Sequence, residues 1–323
     1  MTPETNRSKN RLALIRRVNQ LYHDFQAATF DRIHQARHKA EMAFWRHEVA
    51  ARLVSKNFRQ GIDLCSGTGF VASALLPRLE SGTWVVCTDI STRALGRAQR
   101  SLKEFGNQLR TCVASAEYLP FPDESVDWVT INAGLHHIPQ PKKALKEVDR
   151  ILKRGGYFFL GFEPNARFPS SGAPYWLERF LWHVFWYLSP RRNFKRVARK
   201  LGRPGPHPNE TEHLDAINQV LVQEGLIEKP LSLPDLRELV DVHSRQTDAD
   251  HNETAFVTDE LLNRFFPSYR IHYLRYTDYG GEMLKRHPWL RAAYDKVMAA
   301  MFPGKGRLFT WVLQKPAERE APA

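Results

Sequence analysis

The stretch Gly61-Ile62-Asp63-Leu64-Cys65-Ser66-Gly67-Thr68-Gly69-Phe70 decides the fold. Its apolar opening reads as a short buried strand, its glycines as a turn, and the residues from Phe70 to about Leu79 as the helix that follows. A strand that breaks through a glycine turn into a helix is the opening unit of a doubly wound α/β sheet. The turn lets backbone approach a bound nucleoside, and the helix start offers unpaired amides. Gly67-Thr68-Gly69-Phe70-Val71-Ala72 also fits the G-x-G-x-x-A form of a dinucleotide site. Asp63, four residues before Gly67, tilts the choice, because a carboxylate there repels a pyrophosphate and attracts a cation.

The residues downstream continue the same architecture. Trp84 to Asp89 reads as the second strand, ending in an acid able to accept both hydroxyls of a ribose. Asp89 lies 20 residues after Gly69, a spacing shared by nicotinamide enzymes, so by itself it leaves the cofactor open. A strand from about Val126 to Asn132 carries Asn132-Ala133-Gly134-Leu135-His136-His137-Ile138 to the edge where open α/β sheets bind ligands. The spacing of Ala144, Leu145, Val148, Ile151 and Leu152 predicts a helix from about Lys142 to Lys153, stopped by Gly155-Gly156. Strand five, Tyr157 to Phe162, ends at Glu163-Pro164-Asn165. Two further strands, Tyr269 to Thr277 and Leu308 to Gln314, flank a helix around Glu282 to Met301.

The D-x-C-x-G-x-G pattern, with Cys65 where a glycine is commoner, resembles motif I of the class I S-adenosylmethionine (SAM)-dependent methyltransferases. Ala114 to Asp127 looks like that family's adenine-edge loop. Taken together, Asp63 to Glu163 resembles the group that includes the ubiquinone and menaquinone C-methylases, over about a third of the chain. The resemblance implies a Rossmann-like seven-stranded sheet, six strands parallel and one antiparallel, with an N-terminal helical arm and a helical cap inserted after strand five. The final strand pair again favours SAM over a nicotinamide. Asp63, Cys65, Ser66, Gly67, Gly69, Phe70, Asp89, Ile90, Ala116, Glu117 and Asn132 are then the expected cofactor contacts. Ser115 stands where the family usually has an acid that accepts from the adenine amino group, so a hydroxyl or the backbone is expected to substitute.

Methyl transfer from a sulfonium chiefly requires donor and acceptor to be aligned in a dry site, and no catalytic metal is expected. A hydroxyl or activated-carbon acceptor also needs a base. By resemblance His136 and His137 lie beside the methyl end of the cofactor and are the first candidates, against a loop-shaping role; Glu163 is the second, against a structural hydrogen-bond role. The arm carries apolar positions at Leu12, Ile15, Val18, Leu21, Tyr22 and Phe25, then Ala40, Ala43, Phe44, Val49 and Leu53. In related enzymes such an arm closes the substrate pocket, which makes Tyr22, Phe25, Phe30, His34 and His38 candidates to line it, with Trp176 and Phe180 from the cap.

A chain of 323 residues, 42% hydrophobic, can bury a full core, and no apolar run approaches 18 residues. A polar, charged N-terminus and three cysteines read as reduced packing residues predict a cytoplasmic enzyme. The expected divisions are an arm (1–60), a cofactor core (61–163), a cap insertion (164–267), the rest of the core (268–316) and a disordered tail (317–323). Charge is unevenly placed. Residues 1–60 carry 12 Lys/Arg against 5 Asp/Glu and residues 164–204 carry 9 against 1, whereas 61–163 are near balance at 12 against 11. Within the insertion Trp176, Phe180, Trp182, Phe185 and Trp186 precede seven cationic side chains between Arg191 and Arg203. This segment is expected to form a lid, a lid that also rests on anionic membrane, or an oligomer interface. The reading favoured is a methyltransferase acting by O- or C-methylation on a bulky, lipophilic small molecule. The alternative is an RNA methyltransferase, disfavoured because Asn132-Ala133-Gly134-Leu135 lacks the proline-aromatic tetrad of amino-methylating nucleic-acid enzymes.

Overall fold

The computed structural model describes residues 3–166, 176–177, 180, 208–243, 256, 258–279 and 288–318. Seven strands form one sheet in the order β3-β2-β1-β4-β5-β7-β6, namely β1 Gln60–Leu64, β2 Trp84–Asp89, β3 Leu109–Val113, β4 Val126–Asn132, β5 Leu152–Pro164, β6 Arg270–Thr277 and β7 Leu308–Gln314. β7 runs antiparallel to both neighbours, and β1 to β5 pair in parallel. The order reverses between β1 and β4, which opens a crevice at the C-terminal ends of these strands.

Local chemistry sets the crossover helices. α4 (Phe70–Leu75) buries Val71, Ala72, Ala74 and Leu75, and then tightens into a 3-10 turn over Leu76–Arg78. The α-helix is shorter than the sequence predicts because Pro77 has no amide to continue the hydrogen-bond ladder. α5 (Thr92–Ser101) starts at Ser91, whose hydroxyl accepts from the Ala94 amide, and buries Ala94, Leu95 and Ala98. α6 (Pro141–Ile151) begins with proline at a position where an amide is dispensable, and its buried stripe is Ala144, Leu145, Val148 and Ile151. The helix ends before Gly155-Gly156, which lie inside β5; Gly155, at φ 74°, donates instead to the Lys315 carbonyl at 3.1 Å. Strand five therefore begins at Leu152 rather than Tyr157.

Before the sheet come α1 (Pro3–Gln26), α2 (Phe30–Ala43), a π-turn over Phe44–Val49 and α3 (Ala50–Ser55). After β5 come α7 (Pro208–Gln223), α8 (Leu233–Val240), α9 (Thr258–Phe265) and, between β6 and β7, α10 (Pro288–Met301). Val18 and Leu21 of α1 pack with Ile217 and Leu221 of α7 and with Leu236 and Val240 of α8. The N-terminal arm and the described part of the insertion thus share one small core over the crevice. Most of the aromatic-basic segment 175–203, and residues 282–287 of the predicted last helix, lie outside the described residues. Among the described residues no helix is long and apolar enough to cross a membrane.

Candidate active site

A cavity of about 370 Å³ lies between the strand ends and the helical layer. Its floor starts at β1, where Asp63 is only 1% exposed. Asp63 Oδ1 accepts from the Thr130 hydroxyl at 2.7 Å, while Oδ2 is buried with no hydrogen-bond partner. Burial pushes this carboxyl up to about 7; the Thr130 bond opposes the shift and the neighbouring Asp89 charge adds to it. A buried carboxylate oxygen without a donor is costly unless a ligand supplies one.

Asp89, at the end of β2, is held more fully. Its Oδ2 accepts from the Gly67 amide at 2.8 Å and its Oδ1 from the Ser91 amide at 2.8 Å, so the carboxylate ties the glycine turn to the start of α5. The two turn glycines have different tasks. Gly67, at φ 54°, opens onto the cavity, and an added Cβ would meet nothing within 4 Å. Gly69, at φ 84°, faces away from it; a Cβ there would press on Ala98 Cβ at 3.0 Å and Leu102 Cδ1 at 3.1 Å, so this glycine serves the packing of α4 on α5. Cys65 is also left-handed, at φ 51°, as is Ala133 at φ 47° after β4. Each costs about 1–2 kcal/mol relative to an ordinary conformation. That strain sits at the two strand ends that shape the cavity.

Beyond β4, a 3-10 turn over Leu135–His137 presents the two histidines. Glu163, fully buried, accepts from the amides of Gly134 (2.7 Å), Leu135 (2.9 Å) and His136 (3.2 Å), and from His136 Nδ1 at 2.9 Å. Since the carboxylate only accepts, Nδ1 carries the proton and His136 Nε2 keeps its lone pair. His137 Nδ1 donates to the Val240 carbonyl at 2.8 Å, and desolvation holds this imidazole well below the usual histidine range, with His136 and His23 adding to the effect. The paired rings stand 4.0 Å apart.

The roof is the arm. His23 meets His137 edge-on at 5.1 Å, and His38 stacks on Phe70 at 4.1 Å with an 18° tilt. Polar latches hold the arm down. Asp24 accepts from the Ser91 hydroxyl at 2.6 Å, Asp31 accepts from Thr68 Oγ1 at 2.5 Å and Arg97 Nε at 3.0 Å, and Arg16 Nε donates to Glu117 at 2.7 Å. Asn132 bridges strand and arm, accepting from Trp45 Nε1 at 3.2 Å and donating to Glu41 at 3.0 Å.

Of the residues singled out in the sequence, Asp63, Cys65, Ser66, Gly67, Phe70, Asp89, Ile90, Ala116 and Asn132 line the cavity, with Ser115, His136, His137, Tyr22, Phe30, His34 and His38. Six stand elsewhere. Gly69 is a packing residue, Glu117 is consumed by Arg16 and by the Gln140 amide at 2.9 Å, and Glu163 holds the histidine turn from behind. Trp176 and Phe180, 65% and 61% exposed, do not line the cavity. Phe25 also turns away, stacking on His213 and lying under Arg93. The residues missed are Asn19, His23, Gln26 and Asp241. The first three had a signal: they recur at helical spacing beside the apolar stripe of α1, so one face of α1 is polar yet covered.

The donors suit the cofactor that the resemblance implies. Asp63 offers an unsatisfied anionic oxygen where a cation is wanted, Asp89 an acid at the second strand end, and Gly67 an open backbone between them. Residues 62–160 match the family described as "Methyltransferase domain". The chain is similar to a demethylmenaquinone methyltransferase of Protochlamydia amoebophila, 28% identical over 53% of this chain and 73% of that protein. It is also similar to a ubiquinone/menaquinone biosynthesis C-methyltransferase of Rickettsia bellii, 37% identical over 35% of this chain and 48% of that one. Among solved structures, a SAM-dependent methyltransferase from Methanosarcina mazei covers 82% of this chain and 98% of its own length at 18% identity and a TM-score of 0.41. On the matched residues and the strand order, residues 62–160 form a methyltransferase domain, and the chain resembles the ubiquinone and menaquinone C-methylases.

Proposed function

We propose that the chain methylates a bulky, lipophilic small molecule at oxygen or carbon, with His136 or His137 taking the proton that the acceptor gives up. The observation that carries this reading is the histidine turn: two adjacent imidazoles with Nδ1 anchored by Glu163 and Val240, facing a cavity roofed by Tyr22, Phe30 and Phe70. When bound, SAM supplies an electrophilic methyl group on a sulfonium. The protein's share is to hold that cofactor with Asp63 and Asp89, exclude water with the arm, and receive a proton at a histidine Nε2. Glu163 is a positioning residue, since all its contacts orient the turn. The relatives are named for menaquinone and ubiquinone methylation, which supports a lipophilic acceptor. Contact with anionic membrane belongs to the same reading: Trp176 and Phe180 are exposed and precede the cationic run in sequence.

The test is to incubate the protein with methyl-labelled SAM and total cell extract, and to resolve the labelled product by mass spectrometry. Label is expected in the lipid-soluble small-molecule fraction; label in RNA would overturn the reading. With the acceptor in hand, His136→Ala or His137→Ala is expected to lower turnover roughly a hundredfold with cofactor affinity nearly unchanged. Equal turnover in both variants would remove the histidines from the chemistry.

A further inference from the structure

The histidine turn meets a third donor from a distant part of the chain. Asp241, directly after α8, places Oδ1 3.4 Å from His137 Nδ1 and 3.9 Å from His136 Nε2. One ligand atom from each of the three side chains lies within 4.8 Å of the others. We propose that His136, His137 and Asp241 form a site for a divalent transition-metal ion on the wall of the cavity.

Three features support it. First, the donor set of two imidazoles and one carboxylate suits zinc, manganese, iron or nickel rather than calcium or magnesium. Second, His136 is oriented as metal-bound histidines are, because its Nδ1–H is held by a buried carboxylate, which leaves Nε2 to face Asp241. Third, His137 Nδ1 already stands among oxygens, donating to the Val240 carbonyl at 2.8 Å and lying 3.4 Å from Asp241 Oδ1. For an ion to bind Nδ1, the proton on that nitrogen moves to Nε2, so the neutral ring changes tautomer without losing a proton, and the Val240 carbonyl, released from its hydrogen bond, becomes a fourth donor. Donors around one ion at about 2.0–2.2 Å stand roughly 3–3.5 Å apart. The 3.4 Å contact meets this already; the 3.9 Å contact requires a small shift of Asp241, whose side chain is 45% exposed, and the donor atoms, now within 4.8 Å of one another, draw together around the ion.

The elements explain why the site escapes a sequence reading. His136 and His137 come from the loop after β4, whereas Asp241 lies more than a hundred residues later, in the insertion. Only the packing of α8 against α1 brings it over the turn. The site goes beyond the base assignment: while an ion occupies it the donor nitrogens of both histidines are engaged, so metal binding and proton acceptance are alternative states of the turn. It stands or falls independently of the acceptor.

The full chain, stripped with a chelator, should be titrated with Zn²⁺ alone by equilibrium dialysis and with Co²⁺ alone by visible absorption. Asp241→Asn removes the anionic donor at a half-exposed position, and His47→Gln, on the π-turn, controls for adventitious binding by the other histidines. Thermal unfolding curves that coincide with wild type show that both variants are folded and keep this test separate from the cofactor assignment. The expected result is one Zn²⁺ held tightly by wild type and by His47→Gln, at least tenfold weaker in Asp241→Asn, with the low-symmetry Co²⁺ spectrum lost in that variant alone. Equal Zn²⁺ affinity in wild type and Asp241→Asn, or no stoichiometric uptake by wild type, would overturn the proposal.

Discussion

Two buried carboxylates mark the two sides of the crevice, and their surroundings differ. Glu163, behind β4, is fully buried and accepts four hydrogen bonds, three from consecutive backbone amides. Asp63, at the end of β1, is nearly as buried and has one hydroxyl donor and one bare oxygen. A satisfied carboxylate shapes the chain around itself; an unsatisfied one waits for a donor from outside. By that criterion the β4–β5 side is built, whereas the end of β1 is open.

The largest expected effect tests the built side. Glu163→Ala leaves three buried amides without their acceptor and should cost about 3–5 kcal/mol of stability in urea unfolding. A cost below about 1 kcal/mol would place Glu163 among the open carboxylates and reverse the comparison.

The next effect concerns the open side and its pH dependence. The folded Asp63 carboxyl is pushed up to about 7 from an ordinary value near 3.8, chiefly by burial. A raised acid contributes stability that is fully present below the unfolded value and is lost as pH rises through the folded one. The cofactor-free protein should therefore lose on the order of 2–4 kcal/mol between pH 4 and pH 7 through this group. Asp63→Asn should flatten the profile and weaken SAM binding, and added SAM should flatten it in wild type. A profile identical in wild type and Asp63→Asn would show that the bare oxygen carries no such penalty.

The smallest effect lies in the roof. Burial lowers His34 to about 4, with Arg37, His38 and His23 adding to the shift and Asp31 opposing it; His38 is lowered by burial and Arg37 as well. Depressed histidines stabilise the closed arm above pH 6.5, and that contribution is lost as pH falls towards 4. Hydrogen exchange in α2 should rise on acidification before exchange in β1 and β4 does. Simultaneous loss of protection in arm and sheet would show that the roof has no separate stability.

Much of this was legible in the residues. Trp84–Asp89, Val126–Asn132 and Leu308–Gln314 form strands over the predicted ranges, because continuous apolar or β-branched runs between turn signals have few alternatives in a buried sheet. The boundaries that moved did so for local reasons, Pro77 in α4 and the early start of β5 at Leu152. Glu163 was legible as an acid at a strand end with a base role and a structural hydrogen-bond role both open; its actual partners were not, since they are backbone amides that no side-chain pattern announces. Gly67 and Gly69 look equivalent in the motif; one faces a cavity and the other α5.

The sequence by itself determined most strands of the sheet and, through its resemblance to a methyltransferase motif, the cofactor class, because each depends on residues close together in the chain with a period or spacing to read. Tertiary structure alone decided which acids are satisfied, which histidines converge, and that α1, α7 and α8 share one core over the crevice. Those depend on contacts such as Arg16 with Glu117 and His137 with Val240, about a hundred residues apart, where nothing local encodes the partner.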